Sequence, residues 1–205
     1  MVEKYNNFTL KMENSEKKEL DIETFDPETA RNMTEPSKQY LCKLSDNTYN
    51  IQFLRYKIRD MDSGITLVDI QDEAPEDLPV NEDLIQDEDR LLRYQFGPDF
   101  LELKNIGTTL EFSVGDKEVK DLVMIEKHYF KDELLKQYEF DFKFCIPNTQ
   151  NSWEIIYELP DVEDKKREII ASPWETKSDT FFFVQGKLVI HTRALYDYSP
   201  FEPSI

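Results

Sequence analysis

Glu126 and His128 are the residues whose types and spacing come nearest to chemistry in this chain. They stand two apart in "LVMIEKHYF", Leu122 to Phe130, where strand alternation puts Met124, Glu126, His128 and Phe130 on one face. A carboxylate beside an imidazole, set between apolar residues, makes an acid–base pair, a metal corner or a hydrogen-bonding patch. The rest of the chain has to choose among these.

Other chemistry is thinly represented. The sequence holds two histidines, His128 and His191, and two cysteines, Cys42 and Cys145, too far apart for a CxxC. GxSxG is absent, and among five glycines neither GxGxxG nor GxxxxGK[ST] occurs. "DMDSG", Asp60 to Gly64, suggests a calcium loop, but its sixth and twelfth positions hold Ile65 and Gln71 where an EF-hand needs Gly and Glu. These absences argue against an enzyme, a metal site and a bound cofactor. His191 alternates with Ile190 and Thr192 and is expected to face solvent beside Arg193.

Charge narrows the partners. A formal net charge of −18 and a pI near 4.5 disfavour nucleic acid and anionic membrane surfaces. Residues 60–89 carry 12 Asp or Glu and no Lys or Arg, which suits either a basic protein partner or a solvated acidic loop. The basic stripe Arg55, Lys57, Arg59 is expected to pair with acidic side chains of a neighbouring strand or partner. No run approaches a membrane span, no apolar leader opens the chain, and Val2 stands where N-myristoylation needs glycine. Sequons at Asn7 and Asn32 then carry no weight, and a reduced, cytosolic protein is expected.

The elements that must position the pair are strands. Residues 1–38 read as a flexible or partly helical tail, and 39–205 as one domain. Strand-like runs are Tyr49–Ile58, Ile65–Ile70, Leu91–Phe96, Phe100–Leu103, Thr109–Val114, Val119–Phe130, Tyr138–Phe144, Trp153–Leu159, Thr180–Val184 and Leu188–Tyr196. Tyr138, Phe140, Phe142 and Phe144 form an aromatic row opposite a charged one. "VGDKEV" is expected to be a hairpin turning at Gly115–Asp116, and "FFFVQGKLVI" one turning at Gln185–Gly186. A helix is expected within Val162–Ala171, between Pro160 and Pro173. Short strands with almost no helix imply an all-β antiparallel sandwich or barrel. Glu126 and His128 then face either solvent from an edge strand or a cavity walled by rings.

Seven blocks carry a family likeness: "LRYKIRDMDSG", "RYQFGPDFLEL", "EFSVGDKEV", "MIEKHYFKDELLK", "FDFKFCIPN", "SDTFFFV" and "HTRALYDYS". From about Tyr40 to Ser199 the chain resembles the uncoordinated-119 family of lipid-binding trafficking chaperones, relatives of the phosphodiesterase delta subunit. The resemblance implies an immunoglobulin-like β-sandwich with a hydrophobic cavity between its sheets. It implies that the cavity takes the N-terminal myristoyl chain of client proteins, among them G-protein α subunits and ciliary proteins. It implies release by a GTP-bound ADP-ribosylation-factor-like small GTPase, no catalysis, a monomer, no stable membrane insertion, and a place in the cytoplasm or cilium.

Carried over motif by motif, Tyr94, Phe100, Tyr157, Phe182 and Tyr196 would line the cavity, and Glu126 and His128 would meet the first residues of the acylated peptide. Phe182 departs from the family's frequent Tyr, Trp153 and Ile155 replace smaller or more polar residues, and the 60–89 stretch is more acidic. Two rival readings remain beside it: a prenyl carrier of the delta-subunit type, and a filled sandwich that binds GTPases or kinases through its acidic surface.

Overall fold

The computed structural model describes residues 24–71 and 85–201. Residues 1–23 of the expected tail, with Val2 and Asn7, lie outside the described residues, as does the acidic stretch 72–84.

Two sheets face each other. The first runs β2 (Thr66–Gln71), β1 (Gln52–Asp60), β4 (Asn105–Ser113), β9 (Gln150–Glu158), all antiparallel. The second runs β3 (Leu91–Gln95), β11 (Lys187–Asp197), β10 (Thr176–Val184), β6 (Leu122–Phe130), β7 (Glu133–Asp141), antiparallel except for the parallel β3–β11 pair. A two-stranded ribbon, β5 (Val119–Lys120) with β8 (Phe144–Cys145), closes one end. This is the expected sandwich.

The hairpin at Gln185–Gly186 forms, and both turn residues have positive φ, 51° and 78°, as a two-residue turn with the twist of its strands requires. The expected helix is α2 (Lys166–Ile170), short and anchored by buried Ile169. The two arginines of the basic stripe pair as expected: Arg55 bonds Asp69 of β2 at 2.8 Å and Glu111 of β4 at 3.4 Å, and Arg59 pairs with Glu154 of β9.

Four expectations are corrected. "VGDKEV" is no hairpin, because β4 lies between β1 and β9 and β5 pairs with β8. Gly115 serves a close approach instead: its N–H donates to Tyr49 O at 2.8 Å, and a Cβ there would sit 2.9 Å from Asn50 Cβ. Phe100–Leu103 is not a strand, since Pro98 starts a 3-10 turn over Pro98–Glu102 that hides its apolar residues without a ladder. The Val119–Phe130 run breaks at Asp121, and the aromatic row of β7 ends before Lys143; both residues have positive φ, 51° and 72°. Phe144 is thereby turned outward, 45% exposed.

His191 is the fourth. It is 1% exposed, because residues before 39 cover the outer face of the second sheet. Packing thus starts ahead of the boundary read from the sequence. α1 (Pro27–Asn32) is capped by Asp26, whose carboxylate accepts the Thr29 N–H at 2.7 Å, and Pro27 begins it. Phe25, Ala30, Met33, Leu41 and Cys42 form one buried cluster with Ile125, Phe181, Phe183 and Leu188. Polar ties hold the same segment: Lys127 Nζ donates to Arg31 O and Met33 O at 2.9 and 2.6 Å, and Ser37 Oγ donates to Asp179 at 2.6 Å. The Leu41 N–H donates to His191 Nδ1 at 3.0 Å.

Candidate functional site

Strand β6 is buried on both faces, between β10 and β7 in the sheet, so Glu126 and His128 do not sit on an edge strand. Alternation decides their direction. Ile125 packs outward under the N-terminal segment and Lys127 bonds to it, while Met124 and Phe130 enter the clusters between the sheets. Glu126 and His128 point inward with them and line a cavity of about 50 Å³.

The cavity lies at one end of the sandwich. Its walls are Phe96, Phe100, Tyr157, Leu159, Tyr196 and Tyr198, with Val162 and Ile169 closing over it from the segment that carries α2. The other end is filled by rings: Phe53 lies 5.1 Å from Phe182, and Phe142 lies 5.4 Å from Phe112 and 5.1 Å from Trp153.

Within the cavity wall His128 Nε2–H donates to Glu126 Oε1 at 2.8 Å, both side chains being largely buried at 11% and 14% exposed. The imidazole stacks on Tyr196 at 5.8 Å and meets the edge of Tyr138 at 5.8 Å. Several tyrosines lie near enough to feel the charge of the carboxylate. Burial, and after it the charge of Glu126, raises the phenols of Tyr138, Tyr157 and Tyr196 and pushes Tyr94 up to about 12. They are neutral donors at physiological pH, so the wall around the Glu126–His128 pair is made of uncharged rings. Three of the hydroxyls are engaged: Tyr138 donates to Glu158 O at 2.7 Å, Tyr157 bonds Thr108 at 3.3 Å and Tyr196 bonds Ser178 at 2.9 Å.

No cluster of three or more His, Cys, Asp or Glu able to hold a metal exists among the described residues. Both cysteines are buried, and burial pushes their thiols up to about 11, away from nucleophilic thiolate. An apolar slot carrying a few placed polar groups is the form of a ligand pocket.

Of the residues expected to form the site, Phe100, Glu126, His128, Tyr157 and Tyr196 line this cavity together. Tyr94 stands behind them, 5.7 Å from Tyr196 and 6.1 Å from Phe96. Phe182 belongs to the ring-filled end, 5% exposed. Sequence reasoning missed Thr176 and the apolar cap of Val162 and Ile169. For Thr176 a signal was present: it shares strand parity with Ser178, Thr180 and Phe182.

The GMP-PDE delta-subunit family model matches residues 45–198, the two sheets and the cavity together. The chain belongs to the unc-119 family. It is 47% identical over 178 residues to protein unc-119 homolog B of Danio rerio, covering 84% of this chain and 73% of that protein. Homolog B of Homo sapiens is 44% identical over 191 residues, 90% of this chain and 76% of that protein. Protein unc-119 of Caenorhabditis briggsae is 46% identical over 160 residues, 78% and 73%. Members of this unc-119 and delta-subunit group are lipid-binding trafficking carriers and not enzymes, in keeping with a site built of rings and one polar pair. No helix among the described residues is long and apolar enough to cross a membrane.

Proposed function

We propose that this protein binds the N-terminal myristoyl chain of client proteins between its sheets and carries them between membranes through the cytoplasm, including toward the cilium. The observation that carries this reading is the Glu126–His128 pair, held at 2.8 Å inside an aromatic-lined cavity. An acylated N-terminus presents a long apolar chain followed at once by an amide N–H. The rings match the first and the carboxylate the second. A fourteen-carbon chain gains on the order of 10 kcal/mol on burial, at ~0.8 per methylene, before ordering costs. One myristoyl chain holds a membrane only weakly, so a protein slot can compete for it.

The cavity of about 50 Å³ is far smaller than such a chain, so the ring pairs of the filled end must part to admit it. The clients fitting this reading are myristoylated proteins such as G-protein α subunits. Release falls to a GTP-bound ADP-ribosylation-factor-like GTPase acting on a monomeric carrier.

The test is fluorescence polarisation of two labelled peptides, one with N-terminal myristoyl-glycine and one with C-terminal farnesyl-cysteine, with and without the GTP-loaded GTPase. Tight binding of the myristoyl peptide alone, reversed by the GTPase, is the expected result. Preference for the farnesyl peptide would make it a prenyl carrier. Binding of neither would leave a filled sandwich acting through its surface.

A further inference from the structure

Among the described residues lining the cavity, Thr176 is the one whose polar atom is both inaccessible and without a hydrogen-bond partner. The residue is 4% exposed and opens β10, paired with Phe130 on one side and Tyr196 on the other. A buried hydroxyl left unpaired is unfavourable, and the usual remedy is a bond to something that enters the site. Its cavity neighbours Glu126 and His128 already bond one another, and Tyr196 bonds Ser178.

The inner face of these strands is graded. Along β10 the inward residues run Thr176, Ser178, Thr180, then Phe182 and Val184. Along β6, in register, they run Phe130, His128, Glu126, then Met124 and Leu122. Apart from Phe130, which stands opposite Thr176, the inward residues at the Thr176 end can hydrogen-bond, and those at the Phe182 end are all apolar. Thr180 stands opposite Glu126, and Thr176 is four residues further along, roughly 14 Å at about 3.4 Å per residue.

On the reading given under Proposed function, we infer that Thr176 hydrogen-bonds the client's peptide backbone beyond the acylated glycine and so sets the direction in which a client lies. An acyl chain directed toward Thr176 would offer its hydroxyl nothing. A peptide directed that way brings an amide or carbonyl about four residues after the group held by Glu126, since an extended chain advances at the strand's own rate. The acyl chain then runs the other way, between Phe53 and Phe182. Thr176 is a positioning and specificity residue that reads client length past the first residue.

The experiment compares the full-length wild type with Thr176→Val and Thr176→Ser. The probes are a labelled N-myristoylated hexapeptide beginning with glycine and, as competitor, N-myristoylglycine alone. Thr176→Val should weaken the hexapeptide about five- to tenfold and leave N-myristoylglycine unchanged, while Thr176→Ser stays near wild type. The melting temperature of unliganded Thr176→Val should equal or exceed the wild type's, because an unpaired hydroxyl is removed. Equal hexapeptide affinity in wild type and Thr176→Val would overturn the inference, as would an equal loss of both ligands. If the wild type binds neither probe, the carrier reading itself falls, which a Thr176-specific failure does not imply.

Discussion

His191 Nδ1 accepts the Leu41 N–H at 3.0 Å, and that bond fixes the tautomer of a fully buried histidine. With Nδ1 an acceptor, the proton sits on Nε2, which donates to Asp179 at 3.1 Å. The ring lies against Phe181 and Tyr40, with Arg193 and Arg90 nearby. The relationship ties the N-terminal segment to β11 and makes that tie sensitive to protons.

Burial lowers the His191 pKa below its ordinary 6.5, with Asp179 opposing only in part. The unfolded chain therefore takes up a proton near pH 6.5 while the native state resists. Below that pH the unfolded state binds more protons, and stability falls as pH falls. Thermal unfolding from pH 7.5 to 5.5 should show a steeper loss for the wild type than for His191→Gln. Parallel curves would mean that His191 takes up its proton equally readily in the native protein and in the unfolded chain.

Lys127 gives an alkaline counterpart. Burial pushes its amine down to about 8. The native state sheds this proton first and the unfolded chain holds it to about 10.5, so this group makes stability rise with pH across that window. Lys127→Met keeps the packing of the stem but strands the carbonyls of Arg31 and Met33, at a cost of about 2–4 kcal/mol. The deficit of the variant should widen between pH 8 and 10, and limited proteolysis should cut first before residue 42. A pH-independent deficit would place the charge elsewhere.

Glu126→Ala should weaken myristoyl-peptide binding by about 1 kcal/mol or more, a charge-assisted hydrogen bond being worth roughly 1.5–3. The far-ultraviolet circular dichroism should stay that of the wild type, since the carboxylate bonds only His128 among the described residues. Unchanged affinity in a folded variant would remove Glu126 from the site.

Gly115→Ala tests the corrected turn. The added Cβ meets Asn50 Cβ at 2.9 Å and Tyr49 O at 3.0 Å, and the latter is backbone that cannot swing away. A loss of about 1–3 kcal/mol in denaturant unfolding is expected, from overpacking alone. A neutral result would show that the Asn50 segment yields.

Alternation put Glu126 and His128 on one face and made the hairpin at Gln185–Gly186 readable from sequence, because both depend on neighbours along the chain, but it left open whether that face met solvent or a cavity. What covers the other side of a strand does not. His191 was assigned the correct face, yet that face is roofed by a largely polar segment whose anchors, Phe25, Ala30, Met33 and Leu41, follow no helical or strand period. Phe100 was expected in the wall and is there, although in a 3-10 turn rather than a strand. Phe182 was grouped with the cavity by family likeness, but the ring of Phe53 occupies the space before it. Pairing partners of Gly115 and Lys143 are set by distant strands, and no local signal names them.

The roof over the second sheet has a mechanical side. One wall of the cavity is clamped from behind by α1, Lys127, Ser37 and Leu41, whereas the first sheet turns exposed ion pairs and Ile156, 58% exposed, to water. The two walls are thus supported differently, one backed by a packed layer and the other facing water. On the proposed carrier reading, the backed wall with Glu126, His128 and Thr176 is the gauge, and β1, β4 and β9 are the side that would yield to cargo.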